Sequence, residues 1–360
     1  MLSLREEHWG LEKVAVIAVG IAVIGIALLI VQAGARAVTA GIQKAIQVVL
    51  LLFIGAFAFH GFFSTHCFTV VRSNPCSSAH CSAVATVDKI TPESFRKQYK
   101  EKGLPVKMSS LVPARFLKQF HPEAMIRQVQ QVGEHWNVTL QCGTAEQGQT
   151  RLLSHDLISF LLHLDKEIPG CVRPYLSEDD FLSTIVKRQV DDVASIIVGD
   201  HAVFNLNFFF VGGKGTRTGL HKDPDTLSVL HQLYGEKTVT LFQPSDDAFL
   251  YPSDKFDNGA TLSRIDVFDD SHDIAKGFPL FSKAQPLKVH LQPGDALFIP
   301  YGWWHYAEAT TASISLASRA YTLCEIISFL PLLFEITLHS LYPHLIHSSC
   351  TCHNSSAEAA

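Results

Sequence analysis

The chain predicts an α+β protein with a helix-rich first half, an all-β second half closed as a sandwich or barrel, and transmembrane helices at its start. Three observations carry this. Two long uncharged runs open the 360-residue sequence. Helical spacing of apolar residues dominates residues 86–200. After about Ala202, short strand-like runs follow one another, punctuated by Gly and Pro.

Residues 14–35 run without charge between Lys13 and Arg36, and residues 45–63 between Lys44 and Arg72, interrupted only by Gln47 and His60. About 20 apolar residues cross a bilayer core, and a helix apolar all round has no solvated face. The first run is too long for the apolar core of a signal peptide, and no small-residue cleavage pattern follows it. These features predict an integral membrane protein with an anchor over residues 1–63 and the lipid bilayer as a partner, and Asn137 and the scattered cysteines fit a lumenal domain in the endoplasmic reticulum or Golgi. Composition points the same way: charged residues make up 18%, against about 25% in soluble domains. A formal net charge of −5 excludes the basic footprint of nucleic-acid binding, so no nucleic-acid partner is expected. The eight cysteines form no paired CxxC framework, and Cys350-Thr351-Cys352 alone falls short of the four ligands of a structural zinc site. Asn137-Val138-Thr139 and Asn354-Ser355-Ser356 fit glycosylation acceptors.

Residues 64–85 are small and polar and read as a juxtamembrane linker. The part spanning 86–200 opens with a strand, then a helix that starts at Thr91-Pro92-Glu93. Helical spacing continues over 121–136, over 154–168 with Ser154 as the cap, and over 176–197. The part spanning 201–320 holds strand-like runs at 203–213, 237–244, 287–300, 303–309 and 312–321. Gln292-Pro293-Gly294-Asp295 marks a tight turn between two of them. Residues 321–346 turn helical and apolar again, broken at Pro331, within a tail of 321–360. That tail is expected to pack on the barrel or to join a second copy of the chain.

Chemistry-bearing residues concentrate just after a glycine-rich turn. On a strand, His221 and Asp223 project from one face and Lys222 from the other. An imidazole beside a carboxylate is two thirds of a metal site; an Asx-type turn before Pro224 is the alternative. A third ligand is offered by His305, 84 positions on (305 − 221). A strand, a Pro-Gly turn and a second strand precede it, which returns it to the same sheet. Two histidines and one carboxylate leave open positions on non-haem Fe(II); the alternative is a core histidine beside Trp303 and Trp304. The glycine-rich turn is not a phosphate loop, because Lys214 is followed by Gly215 and Phe208 stands where the first glycine belongs.

His221-Lys222-Asp223, followed by GEKTVTLFQP at 235–244 and PGDALFIPYGWWH at 293–305, resembles the Jumonji-C oxygenases. Within them it is most similar to the cupin-8-like, hydroxylase-type members related to factor-inhibiting-HIF, over roughly residues 195–320. The resemblance implies a double-stranded β-helix (jelly-roll or cupin) core that uses Fe(II), 2-oxoglutarate and O2 and releases succinate and CO2. It implies His221, Asp223 and His305 as the catalytic iron ligands, Lys237 as the co-substrate lysine and Thr218 as a hydroxyl on the same carboxylate. Ser318 falls near a polar position of the last strand where relatives often carry asparagine. Period two agrees for Lys237, which shares an apolar face with Val239 and Leu241 and there needs an anionic partner; a solvated turn residue after Gly235 is the alternative. A protein or peptide substrate and a homodimer through the C-terminal helices are further implications. N-methyl demethylation by the same first step, or a cupin-like binding protein without catalysis, are the rival functions.

Overall fold

The computed structural model describes residues 82–133, 135–143, 151–179, 186–188, 190–191, 204–224, 227–269, 274–341 and 349–351. All of them fall in the compact unit Val70–Ala360. Fifteen strands are described there. They are β1 Ala85–Val87, β2 Val106–Met108, β3 Asn137–Cys142, β4 Arg151–Asp156, β5 Tyr175–Asp179, β6 Phe204–Gly212, β7 Arg217–Lys222 and β8 Ser228–Tyr234, then β9 Lys237–Phe242, β10 Pro252–Asp257, β11 Ala260–Ser263, β12 Leu287–Leu291, β13 Ala296–Ile299, β14 Trp304–Ala309 and β15 Ser313–Tyr321.

They form a nine-stranded sheet in the order β1-β2-β13-β8-β15-β6-β5-β3-β4 and a six-stranded sheet in the order β10-β11-β7-β14-β9-β12. Between the sheets Val239 and Leu241 of β9 pack with Leu297 and Ile299 of β13. This is the jelly-roll core that the sequence leads one to expect. The central strands are apolar on both faces, as they must be when a sheet is covered twice. Along β6, Phe209 and Val211 face an outer cluster, whereas Leu206, Phe208 and Phe210 line an internal cavity.

Short helices cover the outside. Helix α1 (Pro92–Phe95) starts as the sequence predicts, with Thr91 accepting from the Ser94 amide at 3.2 Å and Pro92 in the first turn. Helix α2 (Ala114–Leu117) leads to α3 (Pro122–Val132), which buries Met125, Ile126 and Val129. Helix α4 (Leu157–Leu162) buries Leu157, Phe160 and Leu161 beside them. After the short α5 (Ile274–Gly277), the last helix among the described residues is α6, Leu323–Leu341. Its start is a capping box: the Thr322 amide donates to Glu325 at 2.6 Å and the Glu325 amide to Thr322 Oγ1 at 3.4 Å. Lys100 then pairs with Glu325 at 3.1 Å, tying the helix to the body.

Several expectations are corrected. The reading of an integral membrane protein in the endoplasmic reticulum or Golgi is overturned, because no helix among the described residues is long and apolar enough to cross a membrane. Runs 14–35 and 45–63 lie outside the described residues. Beyond the opening strand β1, which was expected, the part read as helix-rich supplies the strands β2 to β5. Ser154 is inside β4 and caps nothing; the cap of α4 is Asp156, which accepts from the Ser159 amide at 2.8 Å. Residues 151–156 are claimed by register pairing with β3 before the helix can begin. Residues 176–179, expected to be helical, continue β5. Helix α6 runs on through Pro331 because tertiary packing outweighs local propensity. The cysteines also yield a pair that spacing did not reveal, the Cys142–Cys171 disulfide.

Candidate metal and co-substrate site

Antiparallel pairing of β7 with β14 sets His305 directly opposite His221, with the ring centroids 4.2 Å apart. Asp223 lies just past the end of β7. Its oxygens stand 3.5 Å from His221 Nε2 and 3.8 Å from His305 Nε2. One ligand atom from each of the three residues lies within 4.8 Å of the others. His221 Nδ1 donates to the Gly219 carbonyl at 2.8 Å and His305 Nδ1 to the Trp303 carbonyl at 3.3 Å. A carbonyl can only accept, so each ring carries a proton on Nδ1 and turns its Nε2 toward Asp223. Lys222 points the opposite way, to an ion pair with Asp247 and over the Trp304 ring at 4.9 Å.

The electrostatics suit a cation. Burial pushes the Asp223 carboxyl up, but the Arg319 guanidinium at 3.9 Å and the neighbouring His221 hold it well below the usual carboxylate range. Burial, with His221 next, lowers the His305 pKa to about 4, so the ring is neutral at pH 7. Two imidazoles, that of His305 neutral, and an ionised carboxylate converge on one point, which is a donor set for a divalent ion.

Lys237 opens β9 and is 3% exposed. Its ammonium lies 5.6 Å from the Phe210 ring and 5.9 Å from the Tyr175 ring. It makes no ion pair with any described residue, and burial alone lowers its pKa to about 7. A buried ammonium without an anion is costly, so this position fits an anionic ligand. Thr218 on β7 meets the Tyr175 hydroxyl at 3.4 Å. His221, Asp223, His305, Lys237, Thr218, Tyr175 and Arg319 all line one cavity of about 680 Å³.

Ser318 does not join them. Ala317 and Arg319 face the cavity, so strand alternation turns Ser318 to the opposite face of β15, level with Asn207 and Val229. Its hydroxyl is buried there without a hydrogen-bond partner among the described residues. His231 is also outside the site, a core imidazole whose pKa burial lowers to about 4.

Beside the residues expected at the site, Tyr175 and Arg319 also line the cavity. Tyr175 arrives on β5, a strand that the helical reading of 176–197 concealed. Arg319 had a signal: a charged residue inside the apolar run of β15, in step with Ala317.

A family model described as a cupin-like domain matches residues 93–321. Among curated proteins, HSPB1-associated protein 1 of Homo sapiens is 38% identical over 101 residues, which cover 28% of this chain and 20% of that protein. Jumonji C domain-containing protein 5 of Drosophila melanogaster is 34% identical over 108 residues, 30% of this chain and 26% of that protein. Lysine-specific demethylase 8 of Danio rerio is 31% identical over 171 residues, 46% of this chain and 41% of that protein. The chain thus matches between a fifth and about two fifths of the length of these relatives.

Proposed function

From the premise that the chain belongs to the cupin-like domain family, we propose that it is an Fe(II)- and 2-oxoglutarate-dependent oxygenase of the hydroxylase type, acting on a protein or peptide. One observation carries this reading furthest: the buried Lys237 ammonium, unpaired among the described residues, opens into the same cavity as the His221–Asp223–His305 cluster. A metal site alone is common chemistry. A metal site that shares its cavity with a buried, anion-seeking lysine calls for an anionic ligand beside the metal, and 2-oxoglutarate meets that demand.

In this reading His221, Asp223 and His305 hold the iron. Lys237 pairs with the distal carboxylate of 2-oxoglutarate, and the Thr218 and Tyr175 hydroxyls hydrogen-bond it. Bound there, the iron would supply O2 activation, and the co-substrate would supply two of the four electrons that reduction of O2 takes, the C–H bond giving the other two. The chain contributes orientation and dryness. The carbonyls of Gly219 and Trp303 fix both rings, Arg319 keeps Asp223 ionised, and the walls of Phe208, Phe210 and Ile299 exclude water.

A second reading is favoured by the name of one relative, lysine-specific demethylase 8. Demethylation of an N-methyl group also begins with C–H hydroxylation and then loses formaldehyde, so the same residues serve. The test is the full chain loaded anaerobically with Fe(II), given 2-oxoglutarate and air, and followed for succinate. Succinate formation that His305→Ala abolishes is the expected result. Formaldehyde from methylated peptides would select the second reading, and the absence of succinate under all peptides and metals tried would remove both.

A further inference from the structure

The cavity has two unlike poles, and strand register orders them. At one pole Lys237 pairs across β9–β14 with Ala309, four residues along from the Leu241–His305 pair. On the facing sheet Phe210 lies against that lysine. His221, Asp223 and His305 occupy the middle. Arg319, opposite Leu206 in register, stands level with Asp223. Two residues further along β15 comes Tyr321, and then α6 begins.

The far pole is built by α6. Phe329, Leu332, Leu333 and Ile336 all line the cavity, and their spacing puts them on one helical stripe. The stripe is fixed from outside. Tyr321 and Phe329 meet edge to face with centroids 5.4 Å apart. Gly259, at the tip of the β10–β11 hairpin, is hollowed for Leu332, since a Cβ there would lie 2.5 Å from Leu332 Cδ2. His339 packs on Phe256 at 4.6 Å. The backbone of residues 349–351 hydrogen-bonds that of Phe256 on β10. The helix therefore forms a fixed wall between the two sheets, reached from the metal cluster without crossing the lysine pole.

We propose that this pole is the substrate subsite and that it receives an aliphatic side chain. The assignment rests on the oxygenase reading of the same cavity and adds the chemical class of what is oxidised. The co-substrate takes the lysine pole, where the buried charge is. The remaining space beside the cluster is walled by Leu206, Tyr321 and the α6 stripe, which desolvate an alkyl group at no polar cost and penalise a charged one. Lys255 and Asp257 line the same cavity, as polar groups suited to the flanking peptide backbone. In the reaction a C–H bond of the aliphatic group becomes C–OH with one atom of O2. The other oxygen atom enters succinate, and 2-oxoglutarate supplies the two electrons as it loses CO2.

The experiment is saturation-transfer NMR of the metal-free full chain with N-acetyl-leucinamide and, separately, N-acetyl-argininamide, beside succinate assays of the iron-loaded chain. The expected result is binding of the leucine amide at least tenfold tighter than of the arginine amide. Ile336→Asp abolishes the preference. Leu333→Asp, at a half-exposed site, weakens leucine-amide binding by at least tenfold. Equal binding of the two amides, or leucine-amide binding unchanged in both aspartate variants, overturns the assignment. Succinate formation without the leucine preference overturns this assignment alone. The leucine preference without succinate under any condition removes the oxygenase reading and keeps an aliphatic-binding pocket.

Discussion

Lys237 is placed against its own stability. Its folded pKa of about 7 lies far below the ordinary lysine value of 10.5, so between those pH values the unfolded chain holds a proton that the folded chain has lost. Stability therefore rises with pH across that window. The cost is fully present below pH 7 and fades toward pH 10.5. Replacing the lysine by an apolar residue of similar length removes it. Lys237→Met is expected to stabilise the ligand-free protein by a few kcal/mol near neutral pH, and by nothing near pH 10.5, in thermal or urea unfolding. The same variant is expected to bind 2-oxoglutarate about ten- to a hundredfold more weakly, the worth of one charge-assisted contact. A variant that gains stability as it loses ligand is the signature of a residue kept for binding. A second consequence follows from the direction of the shift. Binding an anion requires the protonated lysine, so above pH 7 binding must take up a proton. The apparent Kd for 2-oxoglutarate is expected to rise with pH above about 7, approaching tenfold per unit, as calorimetry at several pH values would show. A flat profile from pH 6 to 9 would move the anion site elsewhere.

Among the elements, the β10–β11 hairpin shows what a short stretch of sequence can and cannot disclose. Asn258 and Gly259 both take positive φ, 47° and 94°, as a tight two-residue turn demands, and Asn-Gly is the strongest short-range sign of such a turn. The role of the turn as the seat of Leu332 is not visible locally, because the partner is 73 residues away (332 − 259). Gly259→Val is expected to lower stability by roughly 1–3 kcal/mol through the backbone alone, with further loss from displaced α6, read as a lower Tm. The Cys142–Cys171 bond closes a separation of 29 residues, and Cys142→Ser is expected to cost about 3–4 kcal/mol by the loop-entropy model, measured by denaturant unfolding with and without reductant.

The same contrast runs through the rest of the molecule. His221 and Asp223 share a strand face by period two, and His305, Lys237 and Thr218 were named from the runs that resemble the Jumonji-C oxygenases; all five line one cavity, although β14 joins β7 and β9 from far along the chain. Tyr175 was not legible, because β5 is short, and its hydroxyl meets Thr218 only after β5 joins β6. Ser318 was misplaced by a single residue, which on a strand is the difference between the cavity and the opposite face. Strand β4, half-exposed at the edge of its sheet, has no buried face to reveal it, so Ser154 looked like a cap.

For the whole molecule, the arrangement is a jelly roll whose own C-terminal helix walls its central cavity. The metal cluster, the lysine pole and the α6 wall come from strands and helices that only the closed barrel brings together: β7, β9, β14, β15 and α6. The central claim is that His221, Asp223 and His305 hold one iron ion as a unit. Its most direct test is metal content by elemental analysis after anaerobic reconstitution of the full chain with Fe(II). One iron per chain is expected in the unmodified protein, and because the ligands act together, each of His221→Ala, Asp223→Ala and His305→Ala is expected to lose most of it. Iron retained at one per chain in all three variants would contradict the account.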